Sequence, residues 1–144
     1  RTQIGSAVIL ITHDLGVIAE MADRVAVMYA GEIVEESLVA ALYDEPLHPY
    51  TVGLIGSIPV LGEVRERLDV IPGSVPNLVN LPPGCRFAPR CQARIEHNLT
   101  VCTEKLPELT AVSSNHQVRC FLYEDAPEFN HTAPLKSGQK ISKK

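Results

Sequence analysis

The first part of the chain has a pattern of apolar and polar positions that predicts a strand, a turn and a helix. Residues 7–12 form an uninterrupted apolar and β-branched run, which is typical of a strand covered on both faces in a parallel sheet. Asp14 can then cap a helix in which apolar side chains recur every three or four residues as far as Met21. His13 and Asp14 are therefore expected at the carboxyl end of the strand, where open α/β sheets bind ligands.

Turn-forming residues divide the next part of the chain into shorter elements. The predicted elements are a hairpin of strands 24–29 and 32–35 joined by Ala30-Gly31, and then helices over residues 38–43 and 50–58. Pro46 is expected to end the first of these helices, whereas Pro49 and Pro59 bound the second. Together with the first strand and helix, these elements predict an α/β unit over residues 1–59.

Proline and cysteine mark a second module beyond Pro59. Five prolines lie between Pro72 and Pro89, so little regular secondary structure is expected there. All four cysteines follow residue 84. We therefore predict a small, irregular, cysteine-containing domain over residues 60–125. Residues 126–144 contain few apolar side chains and are predicted to form a flexible tail.

Charge and hydropathy argue against a nucleic-acid partner and against a membrane-spanning segment. The 144 residues carry a formal net charge of -4, whereas a nucleic-acid surface usually needs clustered Lys and Arg, so no nucleic acid is expected. The longest strongly apolar stretch, residues 7–11, is far shorter than the roughly 18 residues of a membrane span. The chain begins without Met and without a signal-peptide pattern, so it is interpreted as a fragment of a longer protein, and export is not indicated.

His13 has a chemistry that suits phosphate sensing, although most histidines near strand ends are structural or solvated. An imidazole can donate a hydrogen bond to a phosphate oxygen in either protonation state. The run Val8-Ile-Leu-Ile-Thr-His-Asp14, with its ungapped continuation to Glu35, resembles the switch segment of ABC ATPases. The resemblance implies that His13 contacts the γ-phosphate of ATP, bound with Mg²⁺ in the complete protein, and helps to couple hydrolysis to the ATPase dimer interface.

A second block, Pro46-Leu-His-Pro-Tyr-Thr51, resembles the extension found in ATPase subunits of dipeptide and oligopeptide importers. From the residues alone, His48 is explained by local packing between two prolines and receives no catalytic part. The resemblance implies a peripheral protein at the cytoplasmic face of the bacterial inner membrane. Its partners would be membrane-spanning permease subunits and a second ATPase subunit, and the transported peptide or related solute stays open.

Two parts of an ATP site are absent from the printed sequence. There is no Gly-x-x-x-x-Gly-Lys-Ser/Thr loop to cradle phosphates, and no acidic strand end before Ala7 to hold magnesium. These 144 residues alone are therefore expected not to hydrolyse ATP. The expected fold class is α/β: a partial ABC-ATPase nucleotide-binding core of the P-loop NTPase type, followed by the small cysteine-containing domain. Unpaired strand edges of such a partial core predict self-association.

The four cysteines have the spacing Cys85-x5-Cys91-x10-Cys102-x17-Cys120. Four thiolates suit an iron–sulfur cluster, whereas structural zinc more often uses close Cys-x2–4-Cys pairs. Zinc, two disulfides and four free thiols are the alternatives. Stable disulfides are disfavoured in the reducing cytoplasm, and a bound metal would help to fold a segment with so little regular structure.

The cysteine segment also resembles the C-terminal domain of the peptide-importer ATPases, some of which bind a [4Fe–4S] cluster through the matching cysteines. The resemblance implies that the ligands are Cys85, Cys91, Cys102 and Cys120. Arg86, Arg90 and Arg119 could stabilise the negative charge of a cluster or could be ordinary surface residues. The alternative function is a regulatory or metal-binding module, with the α/β part as its scaffold.

Overall fold

One four-stranded antiparallel sheet joins residues from both predicted modules. The structure is a computed structural model and describes residues 6–58 and 70–124. The strands are β1 (Arg24–Tyr29), β2 (Glu32–Leu38), β3 (Thr110–Ser113) and β4 (His116–Val118). The helices are α1 (Leu15–Met21), α2 (Val39–Asp44), α3 (Pro49–Gly56) and α4 (Gln92–Glu96), with 3-10 turns at Ala88–Arg90 and Thr100–Thr103. The order of strands in the sheet is β1-β2-β4-β3.

The first two strands form the predicted hairpin. Ala30 and Gly31 have φ angles of 48° and 87°, and two successive left-handed residues are what a tight type I′ hairpin turn requires. Strand β2 continues beyond the predicted end at Glu35 because it has a second neighbour. Strand β4 pairs with it, so that Glu35 lies opposite Val118.

The core lies on one face of this sheet. Side chains of β1 alternate between exposed and buried positions, as expected for a strand with one face in contact with a core. The buried cluster contains Val25, Val27, Tyr29, Val34, Val39, Leu42 and Phe87. The ring of Tyr29 lies 4.7 Å from that of Tyr50 and 5.2 Å from that of Phe87, measured between centroids. Because Phe87 comes from the cysteine segment, this aromatic group packs that segment on the hairpin.

The predicted strand over residues 7–12 is wrong for the described fold. These residues form no strand, and the side chains of Ile9 and Ile11 are 91% and 93% exposed. A buried parallel strand needs a hydrogen-bonded neighbour on each side, and every strand pair in the described residues is antiparallel and excludes this segment. The described fold is therefore a small α/β domain with an antiparallel sheet, and the parallel core stays a prediction.

The three predicted helices are confirmed to within two residues. Helix α1 has Asp14 as its N-cap, whose Oδ1 accepts a hydrogen bond from the Val17 amide at 3.2 Å. The division near residue 60 lies in residues 59–69, outside the described residues, and the tail over residues 126–144 is also outside them. Among the helices in residues 6–58 and 70–124, none combines the length and the apolar character needed to cross a membrane.

Candidate functional site

His13 lies in an exposed turn immediately before α1. The residues on either side fix this turn, because the Asp14 amide donates to Thr12 Oγ1 at 3.0 Å and the Asp14 carboxylate caps the helix. The hydroxyl of Tyr43 donates to the Leu15 carbonyl at 2.5 Å, which joins the start of α1 to α2. The sequence placed His13 at a strand end; the structure places it at a capped helix start, and its role stays a prediction.

The four cysteines line one small cavity. Cys102 and Cys120 are buried, whereas Cys85 and Cys91 are partly buried. The volume of the cavity is about 10 Å³, which is about the space that a single water molecule needs. Most of the other lining side chains are apolar, including Phe87, Leu99 and Leu122. Residues separated by up to 35 positions in the sequence thus converge on one place.

Backbone contacts hold together the cysteine loops, which are the segments around Cys85 and Cys102. The Cys85 amide donates to the Cys102 carbonyl at 2.8 Å. The preceding residue must be glycine, because a Cβ on Gly84 would lie 2.3 Å from that same carbonyl oxygen. Cys91 is the N-cap of α4, and its sulfur accepts a hydrogen bond from the Arg94 amide at 3.4 Å.

Burial raises the pKa of all four thiols. Desolvation is the largest cause in each case, and it raises the pKa of Cys102 to about 11 and that of the more deeply buried Cys120 still further. The neighbouring thiols act in the same direction: Cys85 and Cys91 both raise the pKa of Cys102. At neutral pH the thiols are therefore protonated, and a metal that binds them has to displace protons.

The thiols are not arranged around a single ion. Across residues 6–58 and 70–124, no group of three or more His, Cys, Asp or Glu side chains is placed so that it could hold a metal ion. The structure thus brings the four predicted ligands to one cavity without bringing them to the spacing of a single-metal site.

The three arginines near the cysteines fasten loops to the sheet. Arg86 donates to the Ala30 carbonyl at 2.5 Å and pairs with Glu32 at 3.2 Å. Arg119 donates to the Ile33 carbonyl at 2.9 Å and to the Pro107 carbonyl at 3.0 Å. Arg90 likewise donates to backbone carbonyls, at residues 71 and 72. These guanidinium groups are partly buried structural contacts rather than ordinary surface residues.

Glu35 is a buried residue whose importance the sequence did not reveal. Its carboxylate is fully buried and accepts hydrogen bonds from the amides of Leu47 at 2.8 Å and His48 at 2.9 Å. The Nε2 atom of His116 lies 2.7 Å from Glu35 Oε1. A buried carboxylate needs several such partners. The only signal in the sequence is an acidic residue directly after Val34 in a β-branched strand, which is too common to identify a network.

His48 is buried, as the prediction of local packing requires, but it also lines the cysteine cavity. Its Nδ1 accepts a hydrogen bond from the Tyr50 amide at 3.0 Å and so caps α3. Burial lowers the pKa of His48 to about 3, so the ring is neutral at physiological pH. No local pattern indicates that this ring meets the cysteines, because at least 37 residues separate them.

Comparison with known proteins gives a family match for part of this chain. Residues 34–97 match the family described as the oligopeptide/dipeptide transporter, C-terminal region. This part of the chain is similar to that family's C-terminal region. The matched transporter region includes Glu35, His48, Cys85 and Cys91, whereas Cys102 and Cys120 lie C-terminal to it.

The names of individual similar proteins agree with the description of the matched family. The oligopeptide transport ATP-binding protein AppD of Bacillus subtilis is 51% identical over 123 residues, which are 85% of this chain and 36% of the relative. A protein of Brucella ovis, named for peptide import and ATP binding, is 44% identical over 131 residues, which are 87% of this chain and 38% of the relative. The resemblance to the C-terminal part of peptide-import ATP-binding proteins is thereby confirmed. The chain spans less than two fifths of the length of these relatives.

Proposed function

We propose that this chain is the C-terminal part of an ATP-binding subunit that energises peptide import by an ABC transporter. The observation that supports this function is the 44–51% identity to proteins named for peptide transport and ATP binding, over more than four fifths of the chain. The partners would be membrane-spanning permease subunits and a second ATPase subunit. The site of action would be the cytoplasmic face of the bacterial inner membrane.

In the complete subunit, His13 would contact the γ-phosphate of ATP bound with Mg²⁺. The exposed position of His13 supports this role, because a nucleotide held by residues outside this chain could reach the imidazole. The capped turn from Thr12 to Asp14 would limit its movement. A donor held in place before the reaction stabilises developing charge without reorganisation.

The 144 residues alone are expected to show no ATP turnover above the rate in buffer, because their sequence lacks a phosphate-binding loop. Phosphate release and nucleotide binding, measured on the purified chain with Mg-ATP, test this expectation. Robust hydrolysis by the chain would contradict the proposal that the phosphate-binding part of the ATP site lies outside these residues.

The exposed apolar residues 8–11 also support self-association of the isolated chain. Light scattering on the same sample would detect it.

For the cysteine cavity we propose a [4Fe–4S] cluster held by Cys85, Cys91, Cys102 and Cys120. The number of thiols and their convergence on one cavity support this assignment. The cavity volume of about 10 Å³ means that the cysteine loops must move apart to admit such a group. When bound, the cluster would supply a cross-link between the loops. The residues of the chain would contribute a dry, apolar lining and the arginine contacts that hold the loops to the sheet.

Anaerobically prepared protein is expected to contain about four iron atoms and four sulfides per chain and to show a broad visible absorption. Metal and sulfide analysis together with the visible spectrum check this expectation. Zinc in place of iron, or a colourless and metal-free anaerobic sample, would contradict the cluster.

The cysteine cavity also favours a second function, that of a regulatory or metal-binding module. The sheet joins this module to the hairpin directly, since β4 pairs with β2. A change at the cavity could therefore alter the position of the hairpin and of α1, which precedes it. Unaltered ATP turnover of the complete subunit after removal of the metal would contradict this second function.

A further inference from the structure

The start of helix α1, two residues after His13, is held by a side chain of α2. Within the described part of the chain, α1 buries none of its own side chains, so apolar packing alone fixes it weakly. The hydroxyl of Tyr43 donates to the carbonyl of Leu15, the first residue of α1. We propose that Tyr43 is a positioning residue: it holds the turn before α1 so that His13 meets the γ-phosphate of ATP. This inference rests on the γ-phosphate contact proposed above.

A short series of hydrogen bonds leads from Tyr43 to the turn that carries His13. Leu15, whose carbonyl accepts from Tyr43, directly follows Asp14. The Asp14 carboxylate accepts a hydrogen bond at 3.2 Å from the amide of the third helical residue, and the Asp14 amide donates to Thr12 Oγ1 at 3.0 Å. His13 lies between the two residues of this last bond. A shift of the start of α1 relative to α2 would therefore move the imidazole.

Helix α2 is a firm support for this contact. Its residues Val39 and Leu42 are buried in the main core, and Tyr43 packs against the same core cluster. The Val39 amide also donates to the Asp23 carbonyl at 3.2 Å, so α2 contacts the chain at both ends of α1. Because a packed core resists displacement, the Tyr43 hydroxyl is a fixed point for the more exposed helix.

The Tyr43 hydroxyl stays a hydrogen-bond donor at neutral pH. Burial and, to a smaller extent, the negative charge of Asp14 raise the pKa of Tyr43, so the phenol keeps its proton. Tyr43 lies inside residues 34–97, which match the transporter family, whereas His13 lies outside them. The contact thus links the matched region to the turn that carries the proposed phosphate donor.

The expected consequence of losing the hydroxyl is a slower reaction with little change in nucleotide binding. A donor stabilises developing charge best when it is held in place beforehand, and a turn freed from α2 holds His13 less firmly. Tyr43→Phe keeps the ring and removes only the hydrogen bond. In the complete subunit it is expected to lower the kcat of ATP hydrolysis by roughly 3- to 10-fold, the usual weight of one neutral hydrogen bond, with little change in KM.

Tyr123→Phe is the matched control. The hydroxyl of Tyr123 also donates to a backbone carbonyl, that of Leu47 at 3.1 Å, and is also partly buried. Its loss is expected to leave kcat unchanged. Steady-state phosphate release is measured for the wild type, both phenylalanine variants, His13→Ala, and Tyr43→Phe combined with His13→Ala. Both tyrosine variants are compared at a temperature at which thermal unfolding shows them to be folded.

The combined variant separates positioning of His13 from general support of the fold. If Tyr43 acts through His13, Tyr43→Phe lowers kcat no further when it is combined with His13→Ala. The same fold-loss with and without His13→Ala, or equal losses in the two phenylalanine variants, would overturn the positioning role. Unchanged kcat in Tyr43→Phe beside a large loss in His13→Ala would overturn this inference alone. Full activity of His13→Ala would overturn the γ-phosphate contact itself.

Hydrogen–deuterium exchange provides a readout that does not depend on turnover. In the nucleotide-free complete subunit, peptides that cover residues 12–22 are expected to exchange roughly threefold faster or more in Tyr43→Phe than in the wild type. Tyr123→Phe is expected to leave their exchange unchanged. Equal exchange of these peptides in Tyr43→Phe and the wild type would contradict the proposed hold on the turn.

Discussion

Replacement of Gly84 by alanine is expected to lower the free energy of unfolding by about 1–3 kcal/mol or more. The new Cβ would lie 2.3 Å from the Cys102 carbonyl oxygen and 2.7 Å from the Thr103 carbonyl carbon. Both contacts are with backbone atoms, so no side-chain rotation can relieve them. The two loops would have to separate, which would break the hydrogen bond from the Cys85 amide to the Cys102 carbonyl. Urea denaturation followed by circular dichroism measures the loss.

Gly16→Ala is the matched control for this change. The nearest atom to its new Cβ would be the capping oxygen Asp14 Oδ1 at 3.2 Å, a side-chain atom that needs to move by only a few tenths of an ångström and can still cap the helix. Because alanine has a higher helix propensity than glycine by up to about 1 kcal/mol, this variant is expected to be as stable as the wild type or slightly more stable. Equal unfolding midpoints for the two alanine variants would show that the cysteine loops are not packed as closely as the structure indicates.

The elements that the sequence predicted well depend on local signals. Helix α1 has its N-cap Asp14 in the adjacent position, and the β1–β2 turn needs only the conformations of Ala30 and Gly31. Strand β4 could not be predicted in this way, because it has only three residues and lies between its neighbour β3 and the distant strand β2, with which it pairs across a long sequence separation. The strand predicted over residues 7–12 was wrong for the opposite reason. Its local pattern is that of a strand, but the described residues include no partner for it.

The candidate site shows the same division between local and distant contacts. Cysteine chemistry alone indicated a common site, and the structure does bring the four side chains to one cavity. Its surroundings could not be predicted, since Glu35 meets His116 across 81 positions and Arg119 reaches the Ile33 carbonyl across 86. The dual position of His48, which caps α3 and lines the cavity, likewise depends on packing that no spacing rule describes.

His13→Ala in the complete ATP-binding subunit is expected to lower the kcat of ATP hydrolysis by roughly 100-fold, the usual effect of removing one preorganised donor to a charged transition state. Nucleotide binding is expected to change little, because most contacts to ATP would come from residues outside this chain. Steady-state phosphate release over a range of ATP concentrations separates the change in kcat from any change in KM.

His97→Ala is the control for this experiment. His97 is an exposed histidine at the carboxyl end of α4, on the cysteine side of the fold, and its replacement is expected to leave kcat unchanged. Equal losses in the two variants would point to a general disturbance of the subunit. Full activity of His13→Ala would remove the proposed γ-phosphate contact.

Peptide uptake by whole cells tests whether this chain belongs to the ATP-binding subunit of a peptide importer. Cells that lack the complete subunit are compared with cells that carry the wild-type or the His13→Ala subunit, with labelled dipeptides and longer peptides as cargo. Uptake of at least one peptide class is expected with the wild-type subunit, and loss of that uptake is expected both in the deletion strain and with His13→Ala. Equal uptake of every peptide in all three strains would contradict a role of this chain in peptide import.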